Sequence, residues 1–318
     1  MRATFLLLAY NQEAFAAEAV RAALAQECEP ITILISDDAS RDETFAVIEA
    51  AVADYEGPHR VVLNRNPRNL GIAGHINACM ARIDTEIVVG AAADDISKPQ
   101  RVARVLEVFA QTDALLVHSD FDVIDNDGKC VQENVPEQTE LFRRTTSAQS
   151  AATQIALYTG ATGAWHRDLF DRFGDISEGC YEDLVLGFRA ALERRIAFVD
   201  ESLVQYRAGI GVSMADASPS GPGEWRAARL RVLTLMRATF EQRLQDMART
   251  SHPDRAAITA DLRNALRLNK LRAASYDRPP VAFLAANIGS LPLATQALLS
   301  ERRKSRRAER RSGSKKST

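Results

Sequence analysis

Glu86-Ile87-Val88-Val89-Gly90-Ala91-Ala92-Ala93-Asp94-Asp95 reads as a buried strand that ends in small residues and then in adjacent carboxylates. Ile87, Val88 and Val89 form a β-branched run, the mark of a strand covered on both faces. Gly90 to Ala93 carry almost no side chain, which predicts close approach of a bulky ligand to the backbone. Asp94 and Asp95 then stand at the carboxyl end of the strand, where open α/β sheets bind ligands. Neighbouring like charges repel unless something positive joins them. A divalent cation carrying a diphosphate would do so. A plainer reading has Asp95 capping the next helix and Asp94 solvated, and this stretch alone leaves both open.

Working outward, residues 3–9 are a near-continuous apolar run and predict another buried strand. Tyr10-Asn11-Gln12-Glu13 follows as a polar turn. A helix with Phe15, Ala19, Ala22 and Ala23 on one face comes next, with Asn11 as its expected cap and Glu13 at its positive end. Residues 31–35 predict a second strand, which delivers Ser36-Asp37-Asp38-Ala39-Ser40 at its carboxyl end. Ser40 with Glu43 predicts a capping box. Residues 60–63 form a third strand, followed by a loop with Asn64, Asn66, Asn69 and Gly71 and a helix over 74–81. After Asp95, Ser97 and Pro99 stand in the order of cap and first-turn proline. Residues 114–118 are the next strand. This alternation predicts a mostly parallel sheet with helices on both faces. Neither Gly-x-Gly-x-x-Gly nor a Walker pattern occurs, so dinucleotide and P-loop readings lose support.

The second half changes character. Asp125-Asn126-Asp127-Gly128 lacks the later ligands of a calcium loop and reads as a hairpin turn. Gly160-Ala161-Thr162-Gly163-Ala164-Trp165 is a glycine-punctuated strand or loop, with a helix over 167–173. Tyr181-Glu182-Asp183 opens a helix with an acidic pair, where Arg189 can pair with either acid across a turn. Residues 196–199 and 202–206 predict strands. Residues 218–223 form a Pro/Gly/Ser linker, and 224–274 are helical with Leu230, Leu233, Met236 and Phe240 as a core stripe. Residues 281–299 are apolar but interrupted by Asn287, Gly289 and Pro292. The organisation expected is therefore residues 1–215 as a catalytic unit, split at 118/119, then a helical extension over 216–300 and a basic, disordered tail over 301–318.

Hydrophobic content of 46% in 318 residues allows one large α/β core with an extension. The net charge of -2 hides an asymmetry: residues 301–318 hold nine Lys or Arg and two Glu, or +7, leaving -9 for the remainder. An acidic body excludes the usual nucleic-acid binder. Cys28, Cys79, Cys130 and Cys180 are widely spaced, with no CxxC, so neither a zinc site nor a disulfide framework is indicated. The first residues read as a strand rather than a leader, and no run of about 20 apolar residues predicts a spanning helix. The expectation is a cytoplasmic protein whose basic tail can meet the anionic inner face of a membrane.

Ala9-Tyr10-Asn11, Ser36-Asp37-Asp38-Ala39-Ser40, Asn69-Leu70-Gly71-Ile72-Ala73-Gly74, Ala93-Asp94-Asp95, Glu182-Asp183 and Tyr206-Arg207 occur in that order on strand ends. Together they resemble the family 2 glycosyltransferases over residues 2–213, with Ser213 near the end of the closing strand. The resemblance implies a GT-A fold and an inverting hexosyl transfer from a nucleotide-diphosphate sugar to a glycan or lipid-linked acceptor, with Mg2+ or Mn2+. It implies that Ala9, Tyr10 and Asn11 frame the base, with Glu13, Gly71 and His75 in the same nucleotide-sugar site. Asp38 would accept from the base edge. Asp94 would reach the ribose or sugar, and Asp95 would hold the metal. Asp183 would be the base, with Glu182 beside it.

This sequence departs from the family where Ala92 replaces an earlier Asp, where His75 stands near a common Arg, and where Ala208 and Gly209 replace a His. Those departures put the strength of metal binding in question. They also keep open a non-catalytic sugar-nucleotide or polysaccharide-binding protein on a degenerate transferase fold. The chemistry fits transfer: a metal neutralises the leaving diphosphate, and a base on the opposite face takes the acceptor proton. A glycoside hydrolase would place paired carboxylates across one bond and would need no nucleotide-type sheet.

Overall fold

A computed structural model describes residues 1–135, 147–209 and 222–314. Ser213, residues 218–221 and the 215/216 boundary lie outside the described residues.

The chain runs β1 (Ala3–Ala9), α1 (Ala16–Leu24), β2 (Thr32–Asp37), α2 (Thr44–Val52), β3 (Arg60–Arg65), α3 (Gly71–Met80), β4 (Ile87–Ala92), the two-residue β5 (Ile96–Ser97) and α4 (Arg101–Gln111). Next come β6 (Leu116–Ile124), β7 (Cys130–Gln132), α5 (Ala148–Ala151), β8 (Ala164–His166), α6 (Asp168–Asp171), α7 (Glu182–Leu192) and β9 (Ile196–Arg207). Four helices close the described chain: α8 (Pro222–Ala248), α9 (Arg255–Ala274), α10 (Pro280–Ala286) and α11 (Leu291–Ser314).

The strands form one sheet in the order β3-β2-β1-β4-β8-β6-β9-β5, with β7 paired to β6. β1 to β4 are mutually parallel, β6 and β9 are parallel, and β8 and β5 run antiparallel to their neighbours. Successive side chains point to opposite faces. Phe5, Leu7, Ile33, Ile35 and Val89 therefore pack with α1, α2 and α4. Leu6, Leu34 and Val88 pack with α3 and with the second-half helices. Ile87, Val88 and Val89 are all fully buried, as a two-sided strand requires.

Several local expectations are corrected. Asn11 does not cap α1, whose first turn has no side-chain cap; it has a left-handed φ of 52°, and its side chain accepts from Arg41 N–H. Ser40 does not cap α2; its hydroxyl bonds to Asp37, and the Asp42 carboxylate accepts from Thr44 instead. Ser97 lies in β5 and accepts from the Arg101 guanidinium. The two strands expected over 196–206 are one bulged strand. The hairpin at Asp125–Gly128 forms as expected: Asp125 accepts from Asp127 and Lys129 N–H, and Gly128 takes φ 79°.

The helix expected over 224–274 is two helices, broken near His252-Pro253. Leu233, Met236, Phe240 and Met247 of α8 share one core with Val185, Leu186 and Phe188 of α7. Buried arginines lock this joint. Arg189 pairs not with Glu182 or Asp183 but with Asp246 on α8, both fully buried. Arg243 donates from α8 to the carbonyls of Leu184, Ala151, Ala152 and Gln154. At the chain's end, α11 runs helical through Leu291–Ser314.

Candidate active site

A cavity of about 630 Å3 opens at the carboxyl ends of β1, β2 and β4. It is bounded on the far side by the start of α7 and the loop over 158–161. Ala9, Tyr10, Asp38, Gly71, His75, Asp94, Asp95, Glu182 and Asp183 all line it. Asn11 and Glu13 do not. Asn11 braces Arg41, and Glu13 accepts from Glu43 N–H, so both hold the β1–α1 turn against the β2–α2 turn.

Asp38 sits beneath the loop that opens α3. Its carboxylate accepts from Asn66 Nδ2 at 2.7 Å, and from the backbone N–H groups of Leu70 and Gly71 at 3.0 Å each. Gly71 holds φ 68°, a conformation that favours glycine. Behind it, Asn64 donates to Ser36 Oγ, and His75 Nε2 lies 2.7 Å from the same hydroxyl. Burial pushes the His75 pKa down despite the charges of Asp38 and Asp37, so the ring is neutral. His75 thus supplies shape and a hydrogen bond rather than a charge.

Asp94 and Asp95 are both buried at the β4 terminus. Asp95 caps no helix; its Oδ1 accepts from Arg207 N–H at 2.8 Å. Burial, then the Asp94 charge, push the Asp95 pKa up to about 8. Burial also raises Asp94, opposed by a hydrogen bond from Gln12 and by the Arg207 charge. Arg207 is the clamp here. It donates to the carbonyls of Asp94, Asp125 and Asn126, pairs with Glu18 at 2.8 Å, and lies 4.6 Å over the Phe15 ring. Among the described residues, no three His, Cys, Asp or Glu side chains form a metal cage. The buried pair Asp94–Asp95 nevertheless fits a hard cation, because each carboxylate raises the cost of ionising the other. Such a cation would take its remaining ligands from a bound anion and water.

Glu182 and Asp183 open α7 after Tyr181, which is extended at φ -95°, ψ 145°. Both line the cavity. The cavity meets the helix end, where the first turn presents both. A Cβ on Gly160 would stand 2.3 Å from Glu182 Oε1, so the glycine makes room for that carboxylate. Asp183 Oδ1 is buried without a hydrogen-bond partner. Burial, then the Glu182 charge, push the Asp183 pKa up to about 8.

Gln12, Tyr158, Thr159 and Tyr181 complete the wall without having been singled out from sequence. Tyr158 Oη and Trp165 Nε1 are buried with no hydrogen-bond partner. Gly90, Ala91 and Ala92 line the cavity, and Trp165 takes the space a side chain at Gly90 would need: a Cβ there would lie 2.6 Å from the indole ring. Gly90→Ala is therefore expected to cost about 1–3 kcal/mol by overpacking. Urea denaturation should show it as a lower midpoint, and Trp165 fluorescence should shift in the native state.

The model for Glycosyl transferase family 2 matches residues 4–174. An uncharacterized glycosyltransferase of Nostoc sp. is 25% identical over 229 residues, covering 70% of each chain. The succinoglycan biosynthesis protein ExoO of Rhizobium meliloti is 31% identical over 129 residues, covering 41% of this chain and 36% of that one. Among solved structures, a mannosyltransferase of Pyrobaculum calidifontis in complex with GDP-Man and Mn2+ superposes with a TM-score of 0.59 at 18% identity, covering 94% of this chain and 79% of the other. The arrangement is a GT-A-type fold with added C-terminal helices.

Proposed function

Because this chain belongs to glycosyl transferase family 2, we propose that it moves a sugar from a nucleotide-diphosphate donor to an acceptor hydroxyl with inversion, in the synthesis of a cell-surface polysaccharide or glycoconjugate. The observation that carries this reading is one cavity flanked by two acidic pairs, the first buried and the second half-buried. Asp94–Asp95 lie on the sheet side and Glu182–Asp183 on the helical side. The Pyrobaculum mannosyltransferase complex, with its GDP-Man and Mn2+, supports a nucleotide sugar and a cation on the sheet side. ExoO, a succinoglycan biosynthesis protein, supports a glycan product.

Ala9, Tyr10, Asp38 and Gly71 receive the base and ribose at the ends of β1 and β2. Asp94 orients the ribose or sugar, held in place by Gln12 and Arg207. Asp95 holds Mg2+ or Mn2+, which when bound neutralises the charge developing on the leaving diphosphate. Asp183 takes the acceptor proton as the hydroxyl attacks the anomeric carbon from the opposite face. Its buried, unpartnered Oδ1 is the atom available for that proton. Glu182, lodged against Gly160, keeps the Asp183 proton affinity high. The acceptor is a glycan or a lipid-linked glycan.

A panel of UDP-, GDP- and dTDP-sugars with Mn2+, read by thermal shift, is expected to return one preferred donor. That donor should then release nucleoside diphosphate on addition of an acceptor. A shift without release for any acceptor would leave the binding-protein reading, which Ala92 and the absent His keep open.

A further inference from the structure

The outer side of the last helices carries both apolar and basic groups. Val281 is 81% exposed on α10 and Ile288 is 78% exposed just after it. Leu291 and Leu299 of α11 are exposed as well. Along α11 the exposed positions include 299, 302, 303 and 306, spaced by three, four and seven residues. That spacing puts Leu299, Arg302, Arg303 and Arg306 on one helix face. The opposite side is occupied. Ala294, Ala297 and Leu298 pack with Phe283. Glu301 is buried and pairs with Arg229 at 2.7 Å and with the Tyr276 hydroxyl at 2.9 Å. Glu301, which heads this basic run, is therefore withdrawn from the outer face.

We infer that the exposed groups of this segment, Val281 and Ile288 with the Leu299, Arg302, Arg303 and Arg306 face of α11, dock the protein on an anionic phospholipid surface. Exposed apolar tips enter the headgroup boundary while arginines meet the lipid phosphates. Isolated phosphate chains would use the arginines but give no reason for Val281 and Ile288 in water, and the rest of the chain carries -9. The segment lies on the surface rather than spanning it. Among the described residues no single helix is long and apolar enough to cross, the two pieces bend by 84°, and their inner side packs on the protein. The inference rests on this surface alone and stands apart from the transfer reaction.

Flotation of the full chain with vesicles separates the outcomes. Vesicles of equal parts phosphatidylcholine and phosphatidylglycerol should carry the protein up, and phosphatidylcholine alone should not. Each basic residue near such a surface is worth on the order of fivefold in partitioning, so the triple variant Arg302→Gln, Arg303→Gln, Arg306→Gln should lose on the order of 100-fold. Val281→Ser with Ile288→Ser should lose on the order of tenfold. These side chains are exposed, so melting temperatures should stay at the parental value, which keeps a loss of flotation from being unfolding. Equal flotation on both vesicle types, or parental flotation of the triple variant, would overturn docking. So would tighter retention on duplex RNA than on the anionic vesicles.

Discussion

Asp183→Asn is expected to bind donor nucleotide as the parent does and to transfer sugar about 10²–10⁴ times more slowly, the range for loss of a positioned base. The amide keeps the shape of the carboxylate and cannot take a proton. The pH profile adds a second signature. A base must be deprotonated to act, and the parental Asp183 has a pKa of about 8. Parental activity should therefore rise with pH up to a limb near that value. Stability should move the other way. Folded Asp183 holds its proton far more tightly than the unfolded chain, so its contribution is fully present below the ordinary carboxylate pKa of about 4 and is lost as pH rises through about 8. Asp183→Asn has no such group, so its melting temperature should fall less than the parental one between those pH values. The variant is thus expected to be inactive and relatively more stable in alkali, the pattern of a strained site group rather than a packing residue. Parental transfer rates, or a product that keeps the anomeric configuration of the donor, would rule the role out.

The first half of the architecture was legible because its parallel strands β1 to β4 each carry an apolar run. The Ile87-Val88-Val89 run needed cover on both faces and receives it. The acidic residues that follow β2, β4 and the start of α7 were visible as types at predicted strand and helix ends, and they meet in one cavity. Misreadings arose where a polar side chain had a distant partner. Ser40 and Glu43 satisfy the local capping pattern, yet Ser40 serves Asp37 and the neighbouring turn at Asn11. Arg189 has acidic neighbours on its own helix, yet the fully buried Asp246, 57 positions on, is the better-shielded partner. Local spacing cannot register such pairings, because they depend on how α8 lies across α7. The same applies to Tyr158 and Trp165: each looks like ordinary core, and only the fold leaves their polar atoms unpaired at a cavity wall. The basic run at 301–306 read as a charged tail, because its composition gives no sign that Glu301 is buried beneath it.

Asp95→Ala is expected to abolish cation-dependent nucleotide binding, by on the order of 10³-fold for the several kcal/mol that a bound cation contributes to a charged leaving group. Two features of the fold make this a sharp test. First, Asp95 is buried beside Asp94, so ionising it without a cation is unfavourable, and its pKa stands at about 8. Removing it relieves that repulsion and leaves Asp94 easier to ionise. Second, among the described residues its carboxylate accepts from Arg207 N–H, while the Arg207 side chain keeps its bonds to Asp94, Asp125, Asn126 and Glu18. The clamp therefore survives the substitution, and the variant should melt within a few degrees of the parent without metal. Calorimetric titration of a nucleoside diphosphate, with and without Mn2+, reads the outcome directly. The parent should gain affinity on adding Mn2+, and Asp95→Ala should bind weakly and equally in both conditions. Asp38→Ala provides the contrast: it loosens the Asn66, Leu70 and Gly71 contacts of the base-side loop, so affinity should fall while the Mn2+ increment remains. If Asp95→Ala keeps the parental increment, the cation is held elsewhere and the assignment of Asp95 fails.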